Sequence, residues 1–502
     1  MELWNYLSIG FSVALQPANL FYCFIGVFIG TLIGVLPGIG PVGAMSLLLP
    51  ATFQSTPEAA IIMLGGIYYG AMYGGSTTSI LVNIPGEAAS VVTCLDGYQM
   101  ARQGRAGPAL GIAAFGSFIA GTVSIVGLML LAPPLSKFAV KFGPPEYFTL
   151  MVLGLTILIY LAHGSMPKAL LMAAIGIVLG LVGLDSINAV PRLTFDRLEF
   201  LDGIGLVPIV MGLFGISEVL LNIEQEVRRD IFKTKIKGLF PTAKDWRASG
   251  GAIARGSLLG FFLGILPGGG AVISSFISYA VEKRVSKHPE NFGKGVIEGV
   301  AGPESANNAA AGGAFIPLMT LGIPPNVVMA MLLGAFMIHG VQPGPLMMKE
   351  SPGLFWGVIV SMYVGNIMLL ILNLPLIGLW VQVLKVPYKI LFPLILLFCL
   401  IGVYTVSNMV FDIHIMIVFG IFGYLMKKFD YEGAPLVLAF VLGPLLENNL
   451  RKSLIMSQGD FSIFFTRPLA AISLILALFL LISPVLPWMG RKRVEIPKED
   501  IS

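Results

Sequence analysis

The chain has 502 residues, of which 56% are apolar and only 12% are charged, with 31 Lys and Arg against 27 Asp and Glu. Soluble globular proteins carry about 25% charged residues. This composition therefore excludes a soluble enzyme and a disordered scaffold, and the small net charge of +4 gives no reason to expect a nucleic-acid partner. The natural environment of such a chain is the lipid bilayer.

The apolar runs are long and continuous, which favours membrane-spanning helices over the short alternating strands of a membrane barrel. One helical span needs about 20 apolar residues, so the length allows roughly 12–14 membrane segments. We therefore predict an all-α polytopic membrane protein with broken helices and re-entrant hairpins.

A single long polar stretch divides the chain near its middle. The sequence predicts a first membrane half at 1–222, a basic cytoplasmic linker at 223–250, a second membrane half at 251–489 and a cytoplasmic tail at 490–502. Cations cluster at 96–107, 223–255, 282–294 and in the tail, and the positive-inside rule places all four clusters in the cytoplasm. The side of the pair Arg451 and Lys452 stays open at this point.

The two halves resemble each other. GVFIGTLIGVLPGIG (26–40) and GSLLGFFLGILPGGG (256–270) share seven identical positions at an offset of 230, and Ile84-Pro85 matches Ile323-Pro324 at an offset of 239. The loops that follow the matched segments carry opposite charge signatures. Because opposite signatures are expected when two halves sit upside down relative to each other, we predict inverted repeats, an arrangement typical of secondary transporters.

Proline and glycine residues interrupt the matched apolar runs and predict helix breaks. Such breaks persist in a membrane only where they face protein or a water-filled cavity, although a simple packing kink is the alternative. The segments 41–51 and 269–281 are too short to span and predict half-helices or arms of re-entrant hairpins. The predicted breaks are at Pro37, Pro85, Gly86, Pro267, Pro324 and Pro325.

Freed backbone N–H groups suit a carboxylate, and freed carbonyl oxygens suit Na⁺. Polar side chains cluster beside the second pair of breaks, where they either bind ligands or join helices by hydrogen bonds. Glu304 and Glu87 are candidate coupling-ion or proton sites, with helix capping as the alternative. The predicted substrate and ion contacts are Gly38, Gly40, Ser76, Thr77, Thr78, Asn83, Gly268, Gly270, Asn307, Asn308 and Asn326.

Catalytic chemistry has no support in the sequence. It contains no G-x-x-x-x-G-K-[ST], H-E-x-x-H or G-x-S-x-G motif, and the four histidines lack metal-ligand spacing. We expect no enzyme activity, no catalytic residue, no resident metal and no cofactor, with Na⁺ or H⁺ entering only as a coupling ion. A passive anion channel stays open as an alternative.

Long motifs along the chain resemble a known family. They are GTLIGVLPGIGPVGAMSLLLPATF (30–53), the stretches 69–111 and 264–325, HGVQPGP (339–345) and LGPLLENNLRKSL (442–454). On these residues the chain resembles TctA, the large membrane subunit of tripartite tricarboxylate transporters. The resemblance extends nearly from end to end.

The resemblance implies a cation-coupled carboxylate importer of the bacterial inner membrane, taking up citrate or another tricarboxylate. It also implies two protein partners, a periplasmic solute-binding protein (TctC-like) and a small four-span membrane subunit (TctB-like). Some members of the family carry a dicarboxylate, an aromatic acid or an amino acid instead. Coupling to Na⁺ or to H⁺ differs between members, so both stay open.

Overall fold

The computed structural model describes residues 2–36, 40–162, 165–224, 238–268, 270–384, 386 and 388–483. Several predictions fall elsewhere. Pro37 and Gly38, residues 225–237 of the predicted linker and the tail predicted at 490–502 lie outside the described residues.

Helices make up most of the described chain. The first half contains α1 Glu2–Ala14, α2 Pro17–Val35, α3 Gly40–Leu48, α4 Pro57–Val82, α5 Val91–Thr93, α6 Gln99–Arg102, α7 Ala106–Ala139, α8 Pro144–Leu161, α9 Met166–Gly180, α10 Leu206–Val210 and α11 Ser217–Glu224. The second contains α12 Ala243–Ile265, α13 Ala271–Val285, α14 Glu298–Gly313, α15 Phe315–Leu321, α16 Val327–Ile338, α17 Met347–Glu350, α18 Pro352–Asn373, α19 Ile377–Val383, α20 Tyr388–Ser407, α21 Val410–Lys428, α22 Gly433–Met456, α23 Ile463–Thr466 and α24 Pro468–Ile482.

The remaining elements are short. The 3₁₀ helices found in the described ranges are Leu49–Thr52, Ala88–Ser90, Leu198–Phe200 and Pro289–Asn291, and the π-helical turns there are Cys94–Tyr98 and Met211–Ile216. Strands β1 (Gly183–Leu184) and β2 (Pro191–Arg192) pair antiparallel, with Gly183 opposite Arg192 and Leu184 opposite Pro191.

The predicted fold class, an all-α polytopic membrane protein, is confirmed. Eight helical stretches in the described residues are long and apolar enough to cross a membrane, and five shorter apolar helices accompany them. Because the helix α12 begins at Ala243, it takes up the end of the segment 223–250 that composition assigns to a linker.

Glycines set the closest helix contacts, and they do so at the same register in both halves. A Cβ on Gly26, Gly30 or Gly34 of α2 would lie 2.2–2.5 Å from a carbonyl oxygen of α4, at Met63, Ile67 and Ala71. The same holds for α12 and α14. A Cβ on Gly256, Gly260 or Gly264 of α12 would lie 2.0–2.4 Å from a carbonyl oxygen of α14, at Gly302, Ala306 and Ala310. Small residues let membrane helices approach this closely. The glycines are shifted by 230 and their partners by 239, the offsets of the sequence repeat.

These contacts also determine chain direction. In each pair the contacted residues advance together, so α2 runs parallel to α4 and α12 runs parallel to α14. The chain must therefore return between them. It does so through α3 and the 3₁₀ turn after it in the first half, and through α13 in the second half. Each half thus contains a helix, a break and a returning arm, as in a re-entrant hairpin.

The first repeat packs against the second in the opposite direction. Ser76 of α4 hydrogen-bonds Glu304 of α14, and a Cβ on Gly65 of α4 would lie 3.5 Å from Cζ of Phe315 in α15, so α4 and α14–α15 are antiparallel. At an offset of 239, Ser76 corresponds to Phe315 and Gly65 to Glu304. Exchanging the two repeats therefore turns each of these residue pairs into the other, as a two-fold axis perpendicular to the helices requires. Inversion across the membrane stays a prediction, which this packing supports.

Candidate functional site

The polar centre of the fold is the carboxylate of Glu304, which has no solvent exposure. The Ser76 hydroxyl of α4 donates to Oε2 at 2.5 Å, and the Thr93 hydroxyl of α5 donates to Oε1. The Asn307 Nδ2, one turn further along α14, lies 3.4 Å from Oε2. Side chains from both halves of the chain thus converge on one carboxylate.

A second layer of amides orients these groups. Asn308 Nδ2 donates to Asn307 Oδ1 at 2.5 Å, which turns the Asn307 amide nitrogen towards the carboxylate. Asn308 also donates to Ser117 Oγ of α7 at 2.7 Å and to the Glu304 carbonyl oxygen at 3.0 Å. The long helix α7 is thereby joined to the same polar cluster.

Within the described residues, Glu304 forms no ion pair with a Lys, Arg or His side chain. Burying an ionised carboxylate away from water without a counter-charge is very costly. The group is therefore suited either to carry a proton or to hold a metal cation. Hydroxyl, amide and carboxylate oxygens are the ligands that hard cations prefer.

The second acidic candidate, Glu87, lies at the break after α4. Its Oε2 caps the 3₁₀ turn by accepting the Ala89 N–H at 2.6 Å, while its Oε1 is buried and has no hydrogen-bond partner in the described structure. A Cβ on Gly75 would lie 2.8 Å from Glu87 Cγ. Because Gly75 precedes Ser76, the carboxylates of Glu87 and Glu304 flank one short stretch of α4.

The breaks of the two repeats have matching geometry. Helix α4 ends at Asn83 with φ 59°, and α15 ends at Gly322 with φ 69°, so a left-handed residue terminates each helix before the Ile-Pro pair. Pro85 and Gly86 lie between α4 and the turn at Ala88, and Pro324 and Pro325 lie between α15 and α16.

Asn326 begins the helix after the second break. Its Oδ1 accepts the Met329 N–H at 3.0 Å, and its Nδ2 lies 3.4 Å from the hydroxyl of Tyr68 in α4. The Gly268 N–H donates to the Pro325 carbonyl at 2.9 Å, so the two breaks of the second half are bonded to each other. Pro267 and Gly270 lie in the same gap between α12 and α13.

The structure brings some predicted residues together and separates others. Ser76, Asn307 and Asn308 meet at Glu304, and Thr77 lines a small cavity beside them. Thr78 instead donates to the Val35 carbonyl at 2.7 Å, where it braces the end of α2. Asn83 is exposed at the end of α4, and Gly40, with φ 65°, has no atom within 4 Å of the position that a Cβ would occupy.

Other members of the polar cluster have little sequence signal. Tyr73 donates to Asn366 Oδ1 at 2.6 Å, and Asn366 Nδ2 donates to the Phe118 carbonyl at 2.9 Å. Asn366 could have been found, because it is an amide within the apolar run of α18. Thr93 and Ser117 are ordinary hydroxyl residues in sequence, and only the packing brings them to Glu304 or Asn308.

The cluster is closed to a carboxylate substrate in this conformation. Two cavities adjoin it, of about 10 and 20 Å³, lined by side chains that include Tyr73, Ser76, Asn308 and Asn366. That volume suits a single water molecule. Pockets for small organic ligands hold about 300–1,000 Å³. Substrate entry therefore requires the helices around Glu304 to move apart.

The described residues contain no group of three or more His, Cys, Asp or Glu side chains placed to hold a metal ion. Cys23 and Cys399 are buried and Cys94 is partly buried, each as a free thiol. His163 lies outside the described residues.

Comparison with known proteins identifies relatives along the whole chain. The Tripartite tricarboxylate transporter TctA family matches residues 20–438. An uncharacterized 52.8 kDa protein in the TAR-I ttuC' 3'region of Agrobacterium vitis is 52% identical over 500 residues, covering 100% of both chains. An uncharacterized protein in the TAR-II ttuC' 3'region of the same organism is 55% identical over 241 residues, covering 48% of this chain and 100% of the relative. No solved structure gives a significant match.

Proposed function

Because the chain belongs to the tripartite tricarboxylate transporter TctA family, we propose that it is the translocating subunit of a cation-coupled carboxylate importer. Membership makes it the large membrane component of a transporter. The proposal goes further in naming citrate or another tricarboxylate as the substrate and Na⁺ or H⁺ as the coupling ion.

The observation that carries the proposal is the buried carboxylate of Glu304, which forms no ion pair with any described residue. A polytopic protein retains such a group at the junction of two repeats at considerable cost, and ionisable residues inside membranes mark ion pathways. Binding of one cation or proton neutralises the carboxylate. The same event lets Ser76 and Thr93 from one half close on Glu304 from the other.

This arrangement gives a physical route to coupling. Without the ion, the negative charge of Glu304 repels a carboxylate substrate that approaches between the repeats. With the ion bound, that repulsion disappears, and the amide and hydroxyl groups around it are available to bind the substrate. Antiparallel packing of α4 against α14–α15 supports inverted repeats, in which one half rocks against the other around a central site.

We further assign this subunit to the bacterial inner membrane with a cytoplasmic C-terminus. Its proposed partners are a periplasmic solute-binding protein, TctC-like, and a small four-span membrane subunit, TctB-like. The basic loops that contain Arg105 and Lys244 support a cytoplasmic assignment of that end of the molecule.

The test is uptake of labelled citrate into cells that express this chain with both partners. Uptake is measured with and without a Na⁺ gradient, with the proton gradient collapsed, and with each partner omitted. Accumulation that requires the partners and one cation gradient is the expected result, and it identifies the coupling ion. Uptake that only equilibrates, indifferent to both gradients, would overturn the proposal in favour of an anion channel.

If citrate is not taken up, the same design is repeated with tartrate, succinate, an aromatic acid and an amino acid. Gradient-driven uptake of one of these would keep the symport mechanism and correct the substrate. Failure of the whole panel would refute a carboxylate importer.

A further inference from the structure

A second cavity, with a mostly apolar lining, lies apart from the Glu304 cluster, at the far end of α15. It has a volume of about 570 Å³, which is within the range of small-ligand sites. Gly322, the left-handed residue at the second break, forms part of its wall, together with the loop around Pro343. The first turns of α8 and the last turns of α22 complete it.

This cavity opens on the side of the protein opposite to the basic loops. A larger cavity, of about 1,010 Å³, is lined by Arg105, Lys244 and Glu298, the residue with which α14 begins. From Glu298 to Leu321 the helices α14 and α15 cover about 36 Å at 1.5 Å per residue, enough to cross the bilayer core. Since the positive-inside rule places the basic end in the cytoplasm, the cavity at Gly322 faces the periplasm.

The charge of this cavity comes from one side chain. Among the described residues that line it, Lys452 is the only charged one. Its neighbour Arg451 is neutralised by Asp185 at 2.5 Å and by Glu447 at 3.3 Å. Arg192 completes that network, 2.7 Å from Glu447 and 3.3 Å from Asp185, so two cations balance two anions.

Lys452 is exposed and forms no ion pair within the described structure, so its ammonium is available to a ligand. Amides accompany it on the same face of α22, because Leu445, Asn448 or Asn449, and Lys452 recur at spacings of three or four residues. The Ser186 hydroxyl donates to Asn448 Oδ1 at 2.9 Å. This hydrogen bond fixes the orientation of the Asn448 amide and leaves its N–H groups able to donate to a ligand. Gln342 adds a further amide on the opposite wall.

From this combination we propose that the cavity is an outer docking site for the carboxylate substrate, with Lys452 and Asn448 as its anion-binding groups. The site rests on the proposed importer function and extends it. A di- or tricarboxylate released on the periplasmic face binds here first, one carboxylate on Lys452, and then passes Gly322 to reach the centre of the protein. The motif LGPLLENNLRKSL thereby has two roles, an ion-pair network at Arg451 and substrate capture at Lys452.

The test begins with transport kinetics in the complete three-component system. Lys452→Met should raise the KM for uptake about two- to fivefold, the range that loss of an exposed ion pair gives, whereas Lys452→Arg should retain the unsubstituted KM. Lys349→Met is the matched control, because Lys349 is an exposed lysine near Pro345 that does not line the cavity.

A Lys452→Cys variant extends this test. In the complete three-component system, a positively charged methanethiosulfonate should restore the KM for uptake and a negatively charged one should not. A second measurement reports binding directly, in membranes that carry Lys452→Cys without the solute-binding protein. Citrate should slow the modification of the introduced thiol, and sucrose at the same concentration should not. The unsubstituted chain, treated in parallel, controls for reaction at the native cysteines.

Unchanged KM in Lys452→Met, together with a thiol that no transported carboxylate protects, would overturn the docking site while uptake itself upheld the importer. Protection by the solute-binding protein alone would also overturn it, since the cavity would then be a partner surface. Absence of all uptake in the unsubstituted system would refute the proposed function instead, and the protection assay would still decide the cavity.

Discussion

Replacing Glu304 by Gln tests the coupling role with the least change in shape. The substitution removes the negative charge and keeps the length of the side chain and one carbonyl acceptor. Ser76 and Thr93 are hydroxyl donors that can rotate, so both can still hydrogen-bond the amide. We therefore expect the protein to fold and insert normally and to lose cation-driven accumulation.

The magnitude follows from the contacts around the carboxylate. No cation among the described residues shares the charge of Glu304, so a bound ion would interact with the full charge. Two unit charges 4 Å apart attract by about 4 kcal/mol at an effective dielectric constant of about 20. Loss of that attraction corresponds to roughly a thousandfold weaker cation binding.

The assay is gradient-driven uptake in cells or vesicles, with the half-saturating cation concentration as the measured quantity. Glu350→Gln provides the control, because Glu350 is an exposed carboxylate on α17. It should behave as the unsubstituted protein. Accumulation by Glu304→Gln with an unchanged cation dependence would refute the assignment of Glu304 as the coupling site.

Three further predictions concern stability. Gly75→Ala places a Cβ 2.8 Å from Glu87 Cγ, so it should destabilise the protein by about 1–3 kcal/mol and lower uptake. Gly250→Ala is the control, because no atom lies within 4 Å of its Cβ position, and it should change neither the thermal unfolding nor the transport. Asp96→Asn should lower the free energy of unfolding by about 1–3 kcal/mol in the same assay. The buried carboxylate accepts three backbone N–H groups of 293–296 at 2.8–3.1 Å, and an amide cannot accept them all. An unchanged unfolding temperature would contradict this prediction. The backbone N–H groups that follow Asp185, and its arginine partner, lower the pKa of Asp185 from 3.8 to about 2. The ionised carboxylate should therefore contribute fully to the free energy of unfolding above about pH 4, and this contribution should disappear as the pH falls through 2. Asp185→Asn should lack this part of the acid-induced destabilisation.

Much of the local structure follows from residue chemistry in the sequence. Proline lacks a backbone N–H and glycine readily adopts positive φ, and the interruptions around Pro85, Pro267 and Pro324 appear in the structure as gaps between helices. The repeat offsets of 230 and 239 in the sequence reappear in the contacts of Gly30 and Gly260 with the helices beside them.

The fold brings only some of the predicted site residues together around Glu304. Polar residues near the breaks were all equivalent candidates in sequence, yet Ser76 lies on the face of α4 that meets Glu304 and Thr78 lies on the face that meets α2. The two differ by two positions, which is about 200° around a helix. Which face meets which neighbour depends on the direction in which the repeats pack.

Composition, apolar run length and the repeated Pro-Gly motifs therefore determine by themselves that this is a helical membrane protein with two interrupted repeats, because hydrophobicity and backbone chemistry act locally. Only the tertiary structure decides that Thr93 and Ser76 converge on Glu304 and that Lys452 lines a cavity while Arg451 is neutralised. Those pairings join residues more than 200 positions apart, to which no short stretch of sequence refers. The two at Glu304 depend on the antiparallel contact of α4 with α14–α15.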